Sequence, residues 1–180
     1  TDFSRELLPT WLTNFDEYKA VCDAEVSYYE QILALTKKLS DARDNTKVEL
    51  LYAKVNQYGK LLAFDSTILT LDYFKKKLAA KFANIEIIVA TGQSEKNKEL
   101  VKEIFGRGSV NQKKSIALCS DAMSEGVNLQ DARALVLLDT PSVLRLIEQR
   151  IGRLERMDKK KKKIHVYWSD DSSEFSLNGD

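Results

Sequence analysis

The sequence predicts an α/β protein: a parallel sheet of about five or more strands with helices on both faces, preceded by a helical extension. Three observations predict it. Five short runs are almost wholly apolar, the mark of strands buried on both faces. Stretches of helical period lie between them. Several of the runs end in polar residues, as at Asp65-Ser66, Thr91-Gly92, Ser120-Asp121 and Asp139-Thr140. Those are the strand ends where parallel sheets hold ligands.

Asp16–Leu39 is a run of good helix formers, with Tyr18, Val21, Cys22, Val26, Tyr29, Ile32, Leu33 and Leu35 near helical spacing. Residues 41–45 break it, 46–58 resume a helix, and Gly59 is its stop. Residues 1–44 are read as the extension and 45–180 as the α/β domain. Leu61–Phe64 is the first strand, followed by an amphipathic helix to about Lys81. Ile85–Ala90 is the second. Thr91-Gly92-Gln93-Ser94 then turns the chain, with Ser94 capping a helix that ends near Phe105 and Gly106. Ser115–Cys119 and Ala134–Leu138 are the third and fourth strands, a helix follows Pro141, and Ile164–Trp168 is the fifth strand.

Composition excludes several classes. The chain has 180 residues, with 28 basic and 27 acidic side chains, so it is neither a polycation nor an acidic tail. No apolar run approaches a membrane span, so no membrane partner is expected. Two cysteines, Cys22 and Cys119, make no disulfide framework and lack metal-ligand spacing, which suits a reducing, cytoplasmic compartment and no metal site. Cys119 ends a buried strand and reads as core. One histidine, His165, excludes chemistry that needs two. The chain starts at Thr1 and ends on the polar stretch Ser169–Asp180, which reads as a piece of a longer protein.

The most informative segment is Ser142–Arg156, SVLRLIEQRIGRLER. On a helical wheel with Gln149 at the origin, Arg145, Gly152, Arg153 and Arg156 fall within about 60° of it. Val143, Leu144, Ile147, Ile151 and Leu154 lie opposite, between about 120° and 220°. The pattern predicts a buried stripe backed by three arginines, a glutamine and a glycine. Arginine suits fork-like contact with phosphate, and Gly152 leaves room for close approach. A solvated helix face with surface ion pairs is the plain alternative.

Gln149-Arg150-Ile151-Gly152-Arg153-Leu154-Glu155-Arg156 resembles the QxxGRxxR motif VI of superfamily-two helicases and translocases. Ser120–Gln130 (SDAMSEGVNLQ) resembles their motif V, and Lys60–Ser66 (KLLAFDS) their motif IV. The likeness covers about residues 45–168, and SEGVNLQ with EQRIGRLER is similar to the Swi/Snf branch, including the bacterial RNA-polymerase-associated remodelling ATPases. Asn128 and Glu125 depart from the DEAD-box pattern, and Met157-Asp158 followed by lysines departs from the usual Swi/Snf continuation.

The resemblance implies the second RecA-like lobe of an ATP-dependent translocase on double-stranded DNA. ATP and Mg²⁺ would lie against an N-terminal RecA-like lobe of the same protein. Arg153 and Arg156 stand at the arginine-finger positions, and Gln149, Gly126 and Asn128 at the ATP-binding ones. Ser66, Thr91, Gly92 and Ser120 match nucleic-acid contacts. Each of the last four also has an ordinary reading as a cap or turn residue.

The rest of an ATPase is missing. There is no GxxxxGK[ST] loop. Asp16-Glu17 follows no apolar strand and reads as a helix surface. Lys159–Lys163 reads as a solvated loop, and His165, Tyr167 and Trp168 as sheet packing. Two alternatives stay open: a non-hydrolysing nucleic-acid- or protein-binding module of the same fold, and an unrelated doubly wound enzyme using the arginine face for a phosphorylated metabolite. The 180-residue chain alone is expected to hydrolyse no ATP; a nucleotide-turnover assay on the purified chain checks it, and contamination-free turnover contradicts the half-site reading.

Overall fold

In the computed structural model the structure describes residues 9–124, 128–140, 143–154 and 163–169. The chain divides into two units, Thr1–Arg43 and Asp44–Asp180. In the first, α1 (Thr10–Thr13) leads into α2 (Phe15–Thr36), which starts where Asn14 accepts the amide of Asp16. Asp16 and Glu17 sit in the first exposed turn of α2, where acidic side chains favour the helix dipole. None of the side chains of α2 is buried. Among the described residues no helix is long and apolar enough to cross a membrane.

The second unit is the α/β body. After α3 (Ala42–Tyr58) come β1 (Lys60–Phe64), α4 (Ile68–Lys81), β2 (Glu86–Ala90), α5 (Glu95–Phe105), β3 (Ser115–Cys119), a 3₁₀ turn (Asp121–Ser124), β4 (Ala134–Leu137), α6 (Leu144–Gly152) and β5 (His165–Tyr167). The five strands are all parallel, in the order β2-β3-β1-β4-β5. The expected strands appear with their ends moved by a residue or so, and the predicted break at residues 41–45 closes sooner, at Ala42.

Each strand feeds two cores, because successive side chains point to opposite faces. Leu62 and Phe64 of β1, Ala117 and Cys119 of β3, and Leu135 and Leu137 of β4 pack with Val101, Ile104 and Phe105 of α5, with Leu154 joining them. Their neighbours Leu61, Ala63, Ile116, Leu118, Ala134 and Val136 pack with Val48, Leu51 and Val55 of α3 and Leu71, Phe74 and Leu78 of α4. Helices thus cover both faces, as the apolar strand runs require. Burial alone pushes the Cys119 thiol up to about 12, so it is a core side chain and no thiolate. At the far edge the Tyr167 hydroxyl lies 2.8 Å from that of Tyr58, and Lys54 stands 4.1 Å over the Tyr167 ring. These contacts are the sheet-edge packing expected of β5, although Trp168 is exposed.

At the N-terminal end of β1, Lys60 is buried and donates to Asp131 at 2.5 Å and to the carbonyl of Ile104 at 2.8 Å. Before it, Gly59 has φ +78°, which ends α3 and aims the chain into the sheet. A Cβ there would meet nothing, so replacement costs backbone strain alone. Gly59→Ala is expected to cost about 1–2 kcal/mol, and Gly59→Asn less because asparagine tolerates this region. Urea unfolding of the two variants checks the order.

Candidate functional site

The polar residues after β1, β2, β3 and β4 gather at one end of the sheet. Asp65 and Ser66 follow β1, Thr91 and Gly92 follow β2, Ser120 and Asp121 follow β3, and Asp139 comes two residues after β4. Backbone bonds hold them close: Asp65 N–H donates to Cys119 O at 3.1 Å, Ser120 N–H to Ala90 O at 3.0 Å, and Leu138 N–H to Phe64 O at 2.9 Å. By motif resemblance Ser66, Thr91, Gly92 and Ser120 match nucleic-acid contacts. The fold brings all four to these strand ends.

Their local bonding is specific. Thr91 Oγ1 accepts the amide of Gln93 at 3.3 Å, so it makes the turn that was its ordinary reading. Gly92 is exposed, and a Cβ on it would lie 3.4 Å from that of Ala122, an ordinary contact. Neither its φ nor its protein neighbours therefore demand glycine. Ser66 is exposed, yet its N–H and O–H both donate to Asp139 Oδ2, at 2.9 and 2.7 Å. Burial pushes the Asp65 carboxyl up, the nearby Asp139 charge adds to this, and the Thr67 amide offsets only part of it.

The residue at the middle of this end is Arg150. It is fully buried, the one buried side chain of α6. Its Nε donates to Asp121 Oδ1 at 2.8 Å and its Nη1 to Asp139 Oδ1 at 2.7 Å, while its plane lies 5.6 Å over the Phe64 ring. Burial disfavours this charge, but the carboxylates outweigh it and hold its pKa above the ordinary value. For Asp139 burial acts upward, and the bonds from Arg150 and Ser66 overcome it and hold the carboxyl below its usual range. This arginine was not among the expected site residues. On the wheel it lies about 100° from Gln149, between the polar face and the apolar stripe. The available signal was an arginine beside that stripe with an aspartate just beyond the third and the fourth apolar runs.

The helix itself departs from expectation. It ends at Gly152, so Arg153 is its C-cap rather than a mid-helix residue. Val143 and Leu144, expected in the buried stripe, are 52% and 68% exposed, whereas Ile147, Ile151 and Leu154 do pack on the core. A short helix meets the sheet only along its second half. Gln149 is half-buried in that half, and a Cβ on Gly152 would meet nothing, so room for close approach is real. Asn128 lies beside Arg153 in the fold, since Leu129 N–H donates to Arg153 O at 3.1 Å. Two side-chain atoms here are buried and have no hydrogen-bond partner among the described residues: Asn128 Oδ1 and Arg153 Nε. Gly126, Arg156 and Lys159–Lys162 lie outside the described residues.

A model of the helicase conserved C-terminal domain matches residues 42–158. The chain belongs to that family. It is the C-terminal RecA-like lobe of a superfamily-two helicase. The RNA polymerase-associated protein RapA of Vibrio campbellii is 45% identical over 63 residues, which is 34% of this chain and 6% of that protein. RapA of Pseudomonas fluorescens is 53% identical over 45 residues, 25% of this chain and 5% of that protein. The matched stretch is thus a small part of these relatives. The C-terminal part of the Fun30 ATPase domain superposes with TM-score 0.57 at 18% identity, over 86% of this chain and 49% of that one. Domain 2 of the DEAD-box helicase Mss116p, bound to an RNA duplex, does so with TM-score 0.54 at 21%, over 68% and 48%. These likenesses show the helicase-lobe fold.

The depressed Asp139 has a consequence for stability. A folded pKa below the unfolded one means stabilisation that is complete at neutral pH and lost as pH falls through the carboxylate range. Asp65, shifted the other way, has the opposite sign. Asp139→Asn is expected to destabilise the lobe by about 1–3 kcal/mol at pH 7, with Asp121 still partnering Arg150. The gap to the unmodified chain narrows as pH drops below about 4; denaturant titrations across pH 3–7 check it.

Proposed function

We propose that this lobe belongs to an ATP-dependent translocase acting on double-stranded DNA and supplies half of a composite ATPase site. The observation that carries the reading is the pair of unpartnered buried atoms, Asn128 Oδ1 and Arg153 Nε. One accepts and the other donates, and they lie on motif segments tied by a backbone bond. A nucleotide offers both partners, a ribose hydroxyl and a phosphate oxygen, so these residues fit it. Mg²⁺ and the P-loop contacts fall to the N-terminal lobe, as the family resemblance implies.

On this reading ATP supplies the phosphoryl group whose transfer drives movement. Arg153 and Arg156 hold positive charge against the phosphates as fingers, a role worth roughly 10³–10⁵ in rate in other NTPases. Gln149 stands at the same cleft, and Gly126 and Asn128 line the nucleotide. The turn at Thr91-Gly92, with Ser120 and Ser66, faces the DNA backbone, where hydroxyls and amides give sequence-independent contacts. The RapA relatives, named as RNA polymerase-associated, support the Swi/Snf-like branch.

The test is DNA-stimulated ATPase of the full-length protein. Arg153→Ala and Arg156→Ala are each expected to lower turnover by about 10²-fold or more, with melting temperatures little changed. Unaltered turnover in both overturns the finger assignment. A full-length protein that binds DNA and turns over no ATP supports the binding module instead.

A further inference from the structure

The helix α2 has no buried side chain, although much of it is apolar. Tyr18, Val21, Glu25, Tyr28, Ile32 and Leu35 recur along it at alternating steps of three and four, the spacing of a coiled-coil seam. The five apolar ones are 42–67% exposed, and Leu39, one step further along the chain, is 77% exposed. At the head of the row the Trp11 ring lies parallel to that of Tyr18, with centroids 6.4 Å apart. An exposed apolar row about 25 Å long marks an interaction surface. It precedes the stretch matched by the helicase C-terminal model, so that likeness gives it no role.

Charge decides what covers it. Asp16, Asp23 and Glu30 repeat every seven residues on the side of the helix turned away from the row. Glu17 and Lys38, both exposed, flank the row at its opposite ends. A second copy laid antiparallel sets Tyr18 against Leu35, Val21 against Ile32 and Glu25 against Tyr28. The tyrosine hydroxyl is then a donor for the carboxylate, and Glu17 meets Lys38 of the other copy at each end. A parallel pair would set Glu25 on its own counterpart, two like charges in an apolar seam. A second apolar row, Cys22, Val26, Tyr29 and Leu33, runs beside the first, but pairing along it would face Asp23 with Glu30 of the other copy.

We propose that the row from Tyr18 to Leu35 docks a second copy of this chain as an antiparallel two-helix coiled coil, with Glu25–Tyr28 and Glu17–Lys38 pairs selecting the orientation. The interface is two-fold, so each contact occurs twice and each substitution acts twice. It stands apart from the translocase reading, because α2 carries none of the residues assigned to nucleotide or DNA.

Analytical ultracentrifugation of the 180-residue chain and of the full-length protein, each over a dilution series, tests it. Both are expected to pass from dimer to monomer on dilution. Ile32→Asp sets a carboxylate against Val21 at two places and is expected to raise the dimer dissociation constant by at least about 100-fold. Glu17→Lys and Lys38→Glu are each expected to raise it by about 5-fold or more, since each turns two attractions into repulsions. The two together are expected to return it to within about 2-fold of wild type. Such a rescue is peculiar to a self-pair in this orientation. Glu17 and Lys38 are exposed, so the swaps decide even if Ile32→Asp does not fold. A chain that is monomeric throughout, or a dimer indifferent to Ile32→Asp, overturns the proposal. Single swaps without effect, or a double swap that does not rescue, overturn it as well. A full-length protein that stays monomeric while the 180-residue chain pairs has another of its own segments on the row, and that also overturns it.

Discussion

The site end of this lobe depends on a guanidinium buried between two carboxylates. Taking Arg150 out of water costs several kcal/mol, and the structure accepts that only because Asp121, Asp139 and the Phe64 ring surround it. The two aspartates follow β3 and β4, the strands on either side of β1. Neighbouring strands lie about 4.8 Å apart, so the arginine spans a gap of about 10 Å and ties the strand ends to α6. With Ser66 bound to Asp139, the loop after β1 joins the same knot. Losing either aspartate leaves the buried guanidinium with one carboxylate partner, and losing Arg150 leaves the two carboxylates without their shared cation.

This arrangement separates what holds the fold from what does the chemistry. The apolar side chains of β1, β3 and β4 are spent on the two cores. What remains at the strand ends is polar, close together and partly exposed. The opposite end of β1 is closed by Lys60 and Asp131. The polar residues after β1, β3 and β4 are therefore gathered at one rim, around a single hydrogen-bonded group.

Much of this was legible in the sequence because each strand is a short apolar run buried on both faces, a pattern that few alternatives imitate. Ser115–Cys119 was read to the residue, and Ser94 caps α5 as its hydroxyl suggested. Arg150 was not legible. A wheel sorts residues by angle and cannot see that an arginine beside the apolar stripe will be buried against aspartates far away in sequence. The exposure of Val143 and Leu144 was hidden likewise, since periodicity does not say how much of a helix touches the sheet. The engagement of Ser66 with Asp139 joins residues 73 positions apart and leaves no local trace.

The two-sided packing has a mechanical consequence. Because alternate residues of every central strand are locked into different cores, the sheet cannot bend or slide without loosening both at once. The body from α3 to β5 therefore behaves as a stiff plate.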